Sequence, residues 1–347
     1  MINRLASDLD HVLAHTIDLW DELRGQRLFI TGGTGFFGCW LLESFAWAND
    51  KLGLNASALV LTRDIEAFKH KAPHLASHPA IRFQCGDVCN FDFPVGSFSY
   101  VIHAATDASA QLNTEQPLHM LDTIINGTRH VLDMARRCEA RKVLLTSSGA
   151  IYGKQPTYLT HVPEGYSGGP DPLDPQAAYA EGKRTAELLT ALYARHYNLR
   201  LKIARCFAFV GPYLPLDIHY AIGNFIRDGL HGGPIRVNGD GTPYRSYLYA
   251  ADLAIWLWTI LFKGEAGRPY NVGSAEDLTI AELAERVSNA FAPRVEVKIT
   301  QVAQPGRASE RYVPDVTRAT QELDLRQWVT LSDSLQRTIL WHRTTIQ

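Results

Sequence analysis

Strand-like runs of four to six residues, rich in apolar side chains, recur along the chain up to residue 206, and longer mixed segments separate them. The runs lie at residues 27–30, 58–62, 81–85, 100–103, 142–147 and 201–206. Some of the separating segments, such as 118–137 and 177–197, are long enough for a helix. Strands that alternate with helices form parallel sheets covered by helices on both faces. The pattern therefore predicts an α/β fold with a doubly wound parallel sheet.

The regions on either side of this pattern differ from it. Between Leu5 and Trp20, apolar residues recur mostly at spacings of three and four, which predicts an amphipathic helix. After residue 212, loops rich in proline and glycine alternate with shorter helical runs at 218–230, 250–262 and 279–291. We therefore divide the chain into a helical extension over residues 1–24, a main region over 25–212 and a smaller α/β region over 213–347.

Composition narrows the class of protein. The 347 residues are 46% hydrophobic, enough for one large or two modest domains. With 34 basic and 36 acidic side chains the net charge is −2. The sequence therefore lacks the excess of basic residues that is typical of nucleic-acid-binding proteins. Neither a membrane span nor a cationic signal start is present, and the five cysteines lack zinc-like spacing. We expect a cytoplasmic protein with small-molecule partners, no metal site and no membrane insertion.

A glycine-rich segment follows the first strand-like run and opens a helix-like one. It reads Thr31-Gly32-Gly33-Thr34-Gly35-Phe36-Phe37-Gly38. Glycines in this T-G-x-x-G-x-x-G pattern allow a tight turn, close approach to a pyrophosphate and tight packing of the helix on the strand. The N–H groups at the helix start can donate to the same phosphates. Taken alone, the motif is explained equally well by an ordinary turn.

Tyr179 and Lys183 stand four residues apart in a helix-length segment, so they share one helix face. The lysine ammonium can lower the pKa of the phenol below its usual value of about 10, and the tyrosine can then act as an acid or a base. Ser148 follows a strand-like run, at the sheet edge where open α/β sheets bind ligands. A tyrosine that only packs at a helix start is the alternative, but the lysine and the serine favour a catalytic trio.

In this order, the motifs resemble the extended short-chain dehydrogenase/reductase family, in particular its nucleotide-sugar epimerases, dehydratases, decarboxylases and reductases. The resemblance covers about residues 25–340 and implies a Rossmann dinucleotide-binding domain over 25–212, followed by a region that mainly binds the sugar nucleotide. It implies that Ser148, Tyr179 and Lys183 are catalytic. The cofactor-binding residues that it implies are Gly32, Gly35, Phe36, Phe37, Gly38, Asp87, Val88, Ala104, Ala105, Tyr179 and Lys183.

The end of the second strand-like run bears on the choice of cofactor. Relatives that use NAD usually carry an acidic residue here, which binds the ribose hydroxyls. Thr62 takes that place in this chain, and Arg63 follows with a guanidinium suited to phosphate. The arrangement is similar to that of NADP-dependent members, so NADP(H) is favoured and NAD(H) stays possible. The alternatives are a solvated loop charge for Arg63 and a turn-forming side chain for Asp87.

The last third of the chain contains segments similar to those that bind the base and diphosphate in sugar-nucleotide enzymes. The resemblance assigns Asn224, Arg245 and Arg311 to the substrate, together with Ser148. Two arginines suit a pyrophosphate. The family pattern R-x-x-N-x-x-G-P departs at Ala208, which replaces the usual asparagine. One side-chain contact to the diphosphate region is therefore in question.

The residues after Ser148 bear on the reaction type. In 4,6-dehydratases they supply an acid and a base, and decarboxylases of UDP-glucuronate keep a glutamate there. This chain has Gly149 and Ala150, which cannot exchange a proton. Acid–base assistance typically contributes about 10²- to 10⁴-fold, so the resemblance favours a C4 epimerase or 4-ketoreductase of an NDP-sugar. A 4,6-dehydratase or decarboxylase, and a non-catalytic dinucleotide-sensing protein, are the alternatives.

The resemblance also implies a partner subunit. The helix-length segments 118–137 and 177–197 match those that form a four-helix bundle between two subunits in this family. We therefore expect a homodimer or a larger even assembly.

Overall fold

The strand-like runs are strands in the structure, a computed structural model that describes residues 3–106, 110–218, 220–304, 306 and 308–346. In chain order the strands are β1 (Arg27–Thr31), β2 (Ser57–Thr62), β3 (Ile81–Cys85), β4 (Tyr100–His103), β5 (Lys142–Ser148), β6 (Leu201–Cys206), β7 (Phe209–Val210), β8 (Ile235–Val237), β9 (Tyr244–Ser246), β10 (Leu248–Tyr249), β11 (Pro269–Val272), β12 (Asp277–Thr279), β13 (Val297–Ile299) and β14 (Arg311–Tyr312).

The α-helices are α1 (Ala6–Thr16), α2 (Phe36–Leu52), α3 (Ile65–Lys71), α4 (Pro73–Ala76), α5 (Ala110–Glu115), α6 (Pro117–Arg137), α7 (Ala178–Tyr197), α8 (Ala221–Leu230), α9 (Ala250–Lys263), α10 (Ile280–Asn289), α11 (Thr317–Leu323) and α12 (Leu331–Ile346). The 3₁₀ helices lie at Ile17–Leu23, Gly149–Tyr152 and Pro175–Ala177. Among the helices described, none is both long and apolar enough to cross a bilayer. Part of the helical run predicted over 218–230, residue 219, lies outside the described residues.

The seven-stranded sheet has the order β11-β6-β5-β4-β1-β2-β3. Strand β1 pairs in parallel with β2 on one side and with β4 on the other, so that Ile30 lies opposite both Val60 and Ile102. The chain thus builds outward from β1 to β3 and then returns to the other side of β1. In an open parallel sheet, such a reversal leaves a crevice at the carboxyl ends of the two strands. The doubly wound parallel sheet is confirmed.

The middle of the sheet is buried. All four residues of β4 and all seven of β5 are buried, as the continuous apolar runs indicate for strands covered on both faces. Phe29 of β1 packs with Phe91 and Phe98, at ring-centroid distances of 5.5 and 5.7 Å. Val101 of β4 belongs to the same buried cluster, which thus packs against the middle of the sheet.

The chain folds into two compact units. The first contains Met1–Ile151, Pro170–Arg205 and Ala254–Tyr270, and the second contains Tyr152–Gly169, Cys206–Leu253 and Asn271–Gln347. The domain limits that we predict from the sequence, after residues 24 and 212, stay predictions.

The predicted N-terminal helix is present as α1 with a following 3₁₀ helix, and it packs within the first unit. Trp20 lies 4.9 Å from the ring of Trp258, whose indole N–H donates to Ser44 at 2.8 Å. Glu22 accepts from the Lys142 ammonium at 2.6 Å. These contacts join residues before β1 to α2, α9 and the start of β5.

The described residues of the second unit form three small sheets. In one of them β9 is central, antiparallel to β12 and parallel to β14. Helix α10 follows β12 directly and begins with a capping box, in which Thr279 and Glu282 satisfy each other's backbone N–H groups. This cap fixes where β12 ends and the helix begins.

Candidate active site

The glycine-rich loop connects β1 to α2 and touches the segment after β4. Gly32 has a φ of +71°, and a Cβ there would lie 2.5 Å from the carbonyl carbon and oxygen of Ala104. A Cβ on Gly38 would lie 2.3 Å from Gly32 O. Both contacts are shorter than any side chain tolerates, so glycine is required for this approach of backbone to backbone. The first turn of α2 is thereby held tightly on the loop.

The start of α2 suits an anion. Its N-cap residue, Gly35, supplies no side-chain hydrogen bond, and the first N–H groups of a helix have no partner within the helix. Phe36, Phe37 and Gly38 are the residues of that first turn. Together with the helix dipole, these donors form a suitable site for a pyrophosphate.

A buried histidine, which our sequence analysis missed, joins the ends of β1 and β4. His103 Nδ1 lies 2.7 Å from Thr31 Oγ1, and its Nε2 lies 3.1 Å from Thr128 Oγ1. Burial and the nearby Lys183 ammonium lower the pKa of His103 to about 3. The imidazole is therefore neutral, with one nitrogen donating and the other accepting. Ala105 N donates to the same Thr31 hydroxyl at 3.2 Å, which fixes the segment containing Ala104 and Ala105.

The segment after β3 forms a turn. Asp87 Oδ1 accepts from Cys89 N at 2.9 Å, as a turn-forming aspartate does. Val88 is buried in the apolar cluster beneath the sheet. Binding of the cofactor by Asp87 and Val88 stays a prediction.

The carboxyl end of β2 lies beside the glycine-rich loop. Thr62 Oγ1 is 3.4 Å from Thr34 Oγ1. Arg63 is exposed, and Asp64 is the N-cap of α3, where its Oδ1 accepts from Ala67 N at 2.8 Å. The acidic side chain nearest in sequence to the end of β2 thus caps a helix.

The predicted catalytic residues lie on neighbouring elements of the first unit. Ser148 is the last residue of β5, and Tyr179 and Lys183 occupy the first two turns of α7. The Lys183 ammonium donates to Thr106 Oγ1 at 2.6 Å and to Thr146 O at 2.8 Å, and it lies 6.0 Å from the centroid of the Tyr179 ring. Lys183 is therefore held at the carboxyl ends of β4 and β5 with its charge beside the tyrosine.

A largely buried ion pair, also missed in the sequence analysis, fixes α7 against the sheet. Glu187 lies one turn after Lys183 and accepts from Ser147 Oγ at 2.5 Å. Arg205 of β6 donates to both of its carboxylate oxygens, with Nε at 3.0 Å and Nη2 at 2.8 Å. Each side chain of the pair is 12% exposed. We call Ser147, Glu187 and Arg205 the Glu187 network.

In the second unit, two of the predicted substrate residues lie on one small sheet and the third lies on a helix. Arg311 of β14 pairs in register with Tyr244, whereas Arg245 of β9 pairs with Tyr312. Successive residues of a strand point to opposite faces, so the two arginines lie on opposite faces of this sheet. The Arg311 guanidinium lies 3.8 Å over the Tyr244 ring and 2.5 Å from Asp277 Oδ2. Asn224 lies on α8, where its Oδ1 accepts from Arg227 at 3.2 Å.

Comparison with known protein families shows to which family this chain belongs. Residues 28–273 match the model described as the NAD dependent epimerase/dehydratase family. The chain belongs to this family.

The relatives differ in reaction. UDP-glucuronic acid decarboxylase 5 of Arabidopsis thaliana is 31% identical over 313 residues, which cover 89% of this chain and 87% of that protein. A dTDP-glucose 4,6-dehydratase from Streptomyces venezuelae, solved with NAD bound, is 26% identical with a TM-score of 0.76 and covers 92% of this chain and 97% of its own. A UDP-glucose 4-epimerase from Thermotoga maritima has the same fold, with 22% identity, a TM-score of 0.78 and coverage of 92% and 100%. The protein is thus an enzyme of a nucleotide-sugar family with a nicotinamide dinucleotide cofactor, and these relatives include three different reactions.

Proposed function

We propose that this enzyme transfers a hydride at C4 of an NDP-sugar, as a C4 epimerase or a 4-ketoreductase. The proposal rests on the Lys183 ammonium, which β4 and β5 hold beside Tyr179 through Thr106 and Thr146. A fixed cation beside a phenol favours the phenolate, which is the form that removes a hydroxyl proton.

A bound nicotinamide dinucleotide would supply the hydride acceptor or donor, and the glycine-rich loop and the first turn of α2 would hold its pyrophosphate. Tyr179 takes the proton from the C4 hydroxyl during oxidation and returns it during reduction. The Ser148 hydroxyl donates to the same sugar oxygen and orients it. Lys183, whose other donors are engaged by Thr106 and Thr146, stabilises the charge on the phenolate.

The residues that follow Ser148 favour this reaction over elimination. Gly149 and Ala150 open the 3₁₀ helix Gly149–Tyr152, and neither carries an ionisable group. A dehydratase needs an acid and a base besides the tyrosine, since it removes both a hydroxyl and a carbon-bound proton. C4 epimerisation and ketoreduction need only the tyrosine.

Decarboxylation of UDP-glucuronate is the second candidate, because several relatives near 30% identity are decarboxylases. Its first step is the same oxidation at C4, with the hydride passing to the nicotinamide. The product would be a β-keto acid. When its C–C bond to the carboxylate breaks, CO₂ would leave, and the electron pair would form an enolate that takes a proton at C5. Return of the hydride to C4, with a proton for its oxygen from Tyr179, would then give the UDP-pentose. Tyr179 would serve both reactions.

The experiment is incubation of the purified enzyme with UDP-glucose, UDP-glucuronate and 4-keto sugar nucleotides, followed by NMR of the products. A C4 epimer, or a 4-hydroxyl product formed with consumption of NADPH, supports the proposal. Loss of CO₂ and formation of a UDP-pentose would replace it with the second candidate. If cofactor binds but Tyr179→Phe and wild type have equal activity, the assigned mechanism is wrong.

We further propose that the cofactor is NADP(H). Thr62 carries no charge at the end of β2, Asp64 caps α3, and Arg63 follows with an exposed guanidinium. An arginine binds a phosphate through two parallel hydrogen bonds. We therefore expect the enzyme to distinguish NADPH from NADH by the 2′-phosphate, which only NADPH carries.

A homodimer through α6 and α7 completes the proposal. These helices expose apolar side chains, with Leu188 at 60%, Leu192 at 43% and Leu118 at 76% exposed. Leu188 and Leu192 stand four residues apart and share one face of α7. An apolar face on these two helices supports their burial against a second copy.

A further inference from the structure

The helix that carries Tyr179 and Lys183 is capped by a side chain from another element. Helix α7 begins at Ala178, and its N-cap residue, Ala177, makes no side-chain hydrogen bond. The first N–H groups of a helix have no partner within the helix. Tyr179 N is one of these groups, and it donates to Asn113 Oδ1 of α5 at 3.0 Å. The cap thus acts at the backbone of the predicted acid–base residue itself.

The same carboxamide also binds the turn before α7. Asn113 Nδ2 donates to Gln176 O at 2.8 Å, in the 3₁₀ helix Pro175–Ala177. An asparagine side chain has both donors and an acceptor, so it can make the two contacts at once, whereas a carboxylate can only accept. Asn113 therefore joins the 3₁₀ helix to the first turn of α7.

Apolar packing also joins α5 to this turn. Leu112, next to Asn113, and Tyr179 both pack against one buried cluster, which consists of Met120, Ile124, Leu145 and Ala186. Helix α7 lies close to α6 here, because a Cβ on Gly182 would be only 3.0 Å from Ile124 Cδ1. The position of Tyr179 is thus restricted both at its backbone and at its side chain.

The Lys183 ammonium is held by the same stretch of chain. Thr106, which accepts from Lys183 Nζ at 2.6 Å, lies between β4 and α5. The stretch between β4 and α6 therefore contacts both members of the pair, Lys183 through Thr106 and Tyr179 through Asn113. The effect of a cation on the pKa of a phenol weakens as their separation grows, so this stretch controls how strongly the pair interacts.

We propose that Asn113 is a positioning residue for the reaction, which places Tyr179 beside the Lys183 ammonium by capping α7 at Tyr179 N. This inference rests on the proposed acid–base role of Tyr179, and it applies to C4 hydride transfer and to decarboxylation alike. Without Asn113, the first turn of α7 loses its hydrogen bond to α5, and Tyr179 shifts with that turn. An error of about 1 Å in the position of a reacting group can lower the rate by about 100-fold.

The test is Asn113→Ala, with Gln111→Ala as the matched control, because Gln111 lies on the same helix and binds Glu115 at the surface. Turnover is measured with the sugar nucleotide that the NMR experiment finds to be converted. We expect the kcat of Asn113→Ala to fall by roughly tenfold or more, with KM and the Kd of the cofactor unchanged. The pH at which Tyr179 ionises, determined from the pH profile of kcat, should rise because the phenol lies farther from the ammonium. Gln111→Ala should match wild type in each measurement.

A second variant tests whether the cap is the cause. Asn113→Asp keeps an acceptor for Tyr179 N, which an aspartate at a helix N-terminus provides well, and it loses the donor to Gln176 O. At its own pH optimum it should recover most of the kcat that Asn113→Ala loses. Asn113 is half-buried, so neither substitution leaves a large cavity, and circular dichroism confirms that each variant is folded.

The outcomes separate this inference from the proposed function. If Tyr179→Phe loses turnover while Asn113→Ala has the kcat and pH profile of Gln111→Ala, Asn113 has no role in positioning and the proposed function stands. A higher KM with unchanged kcat, or a lower kcat with an unchanged pH profile, would also overturn the inference. If Tyr179→Phe has the turnover of wild type, the inference and the proposed mechanism are both wrong.

Discussion

Removal of the Glu187 carboxylate should destabilise the protein strongly. In Glu187→Ala, the largely buried Arg205 guanidinium loses the Glu187 carboxylate, and Ser147 loses the acceptor of its hydroxyl. Breaking one side of a buried ion pair costs about 3–5 kcal/mol. Because each side chain of the pair is 12% exposed, water can reach the orphaned charge in part. We therefore expect a loss near the lower limit, about 3 kcal/mol.

The assay is urea unfolding followed by tryptophan fluorescence and circular dichroism. With a urea dependence of about 3 kcal/mol per M, a loss of about 3 kcal/mol lowers the unfolding midpoint by about 1 M. The matched control is Glu276→Ala, which removes the acid of the pair Arg286–Glu276, in which both side chains are 47% exposed. Exposed ion pairs contribute about 0–1 kcal/mol to stability, so the unfolding midpoint of this control variant should hardly change.

A double variant tests the cause. Replacing both members of a buried ion pair by apolar residues of similar volume is often neutral or stabilising. Glu187→Leu combined with Arg205→Met should therefore recover most of the lost stability, except for about 1 kcal/mol at Ser147. If Glu187→Ala unfolds within about 0.5 kcal/mol of wild type, the reasoning about the Glu187 network is refuted.

Three further predictions follow from the site. Tyr179→Phe should lower turnover by about 10²-fold or more while fluorescence titration shows unchanged cofactor binding; near-normal turnover would remove its acid–base role. Arg63→Ala should weaken NADPH by roughly tenfold and leave NADH unchanged, and tight NADH binding that ignores Arg63 would favour NAD(H) and epimerisation. Because the folded-state pKa of His103 is depressed to about 3, the unfolded chain binds its proton first, so stability should fall as the pH drops from about 6.5. His103→Gln should flatten that dependence in urea titrations at several pH values, and an unchanged slope would contradict the buried neutral imidazole.

Light scattering tests the predicted homodimer or larger even assembly. We expect twice the monomer mass at micromolar concentration, and Leu188→Glu with Leu192→Glu should shift the protein toward the monomer, because the two charges would be buried in the bundle. A monomer in the wild type would overturn the assignment of α6 and α7 as the interface.

The local features of this protein could be predicted from its sequence. Strand-like runs separated by helix-length segments predicted β1 to β6. Every residue of the central strand β4 is buried, as in a strand covered on both faces. The glycine spacing predicted the tight loop before α2, since Gly32 and Gly38 have no room for a Cβ. Tyr179 and Lys183 share a helix face through a spacing of four alone. Each of these features shows in the spacing of residues along the chain, even where the contact itself is distant, as between Gly32 and Ala104.

Only the tertiary structure decided the contacts between distant segments. Lys71 donates to Thr34 O, and Glu187 joins Ser147 to Arg205. No pattern of spacing in the sequence predicts either contact. Arg245 and Arg311 are both predicted to bind phosphate, and the register of β9 with β14 decides which face of the small sheet each of them occupies. A register shift of one residue would reverse a face, and turns and packing set it rather than composition. These long-range pairings therefore appear only once the chain is folded.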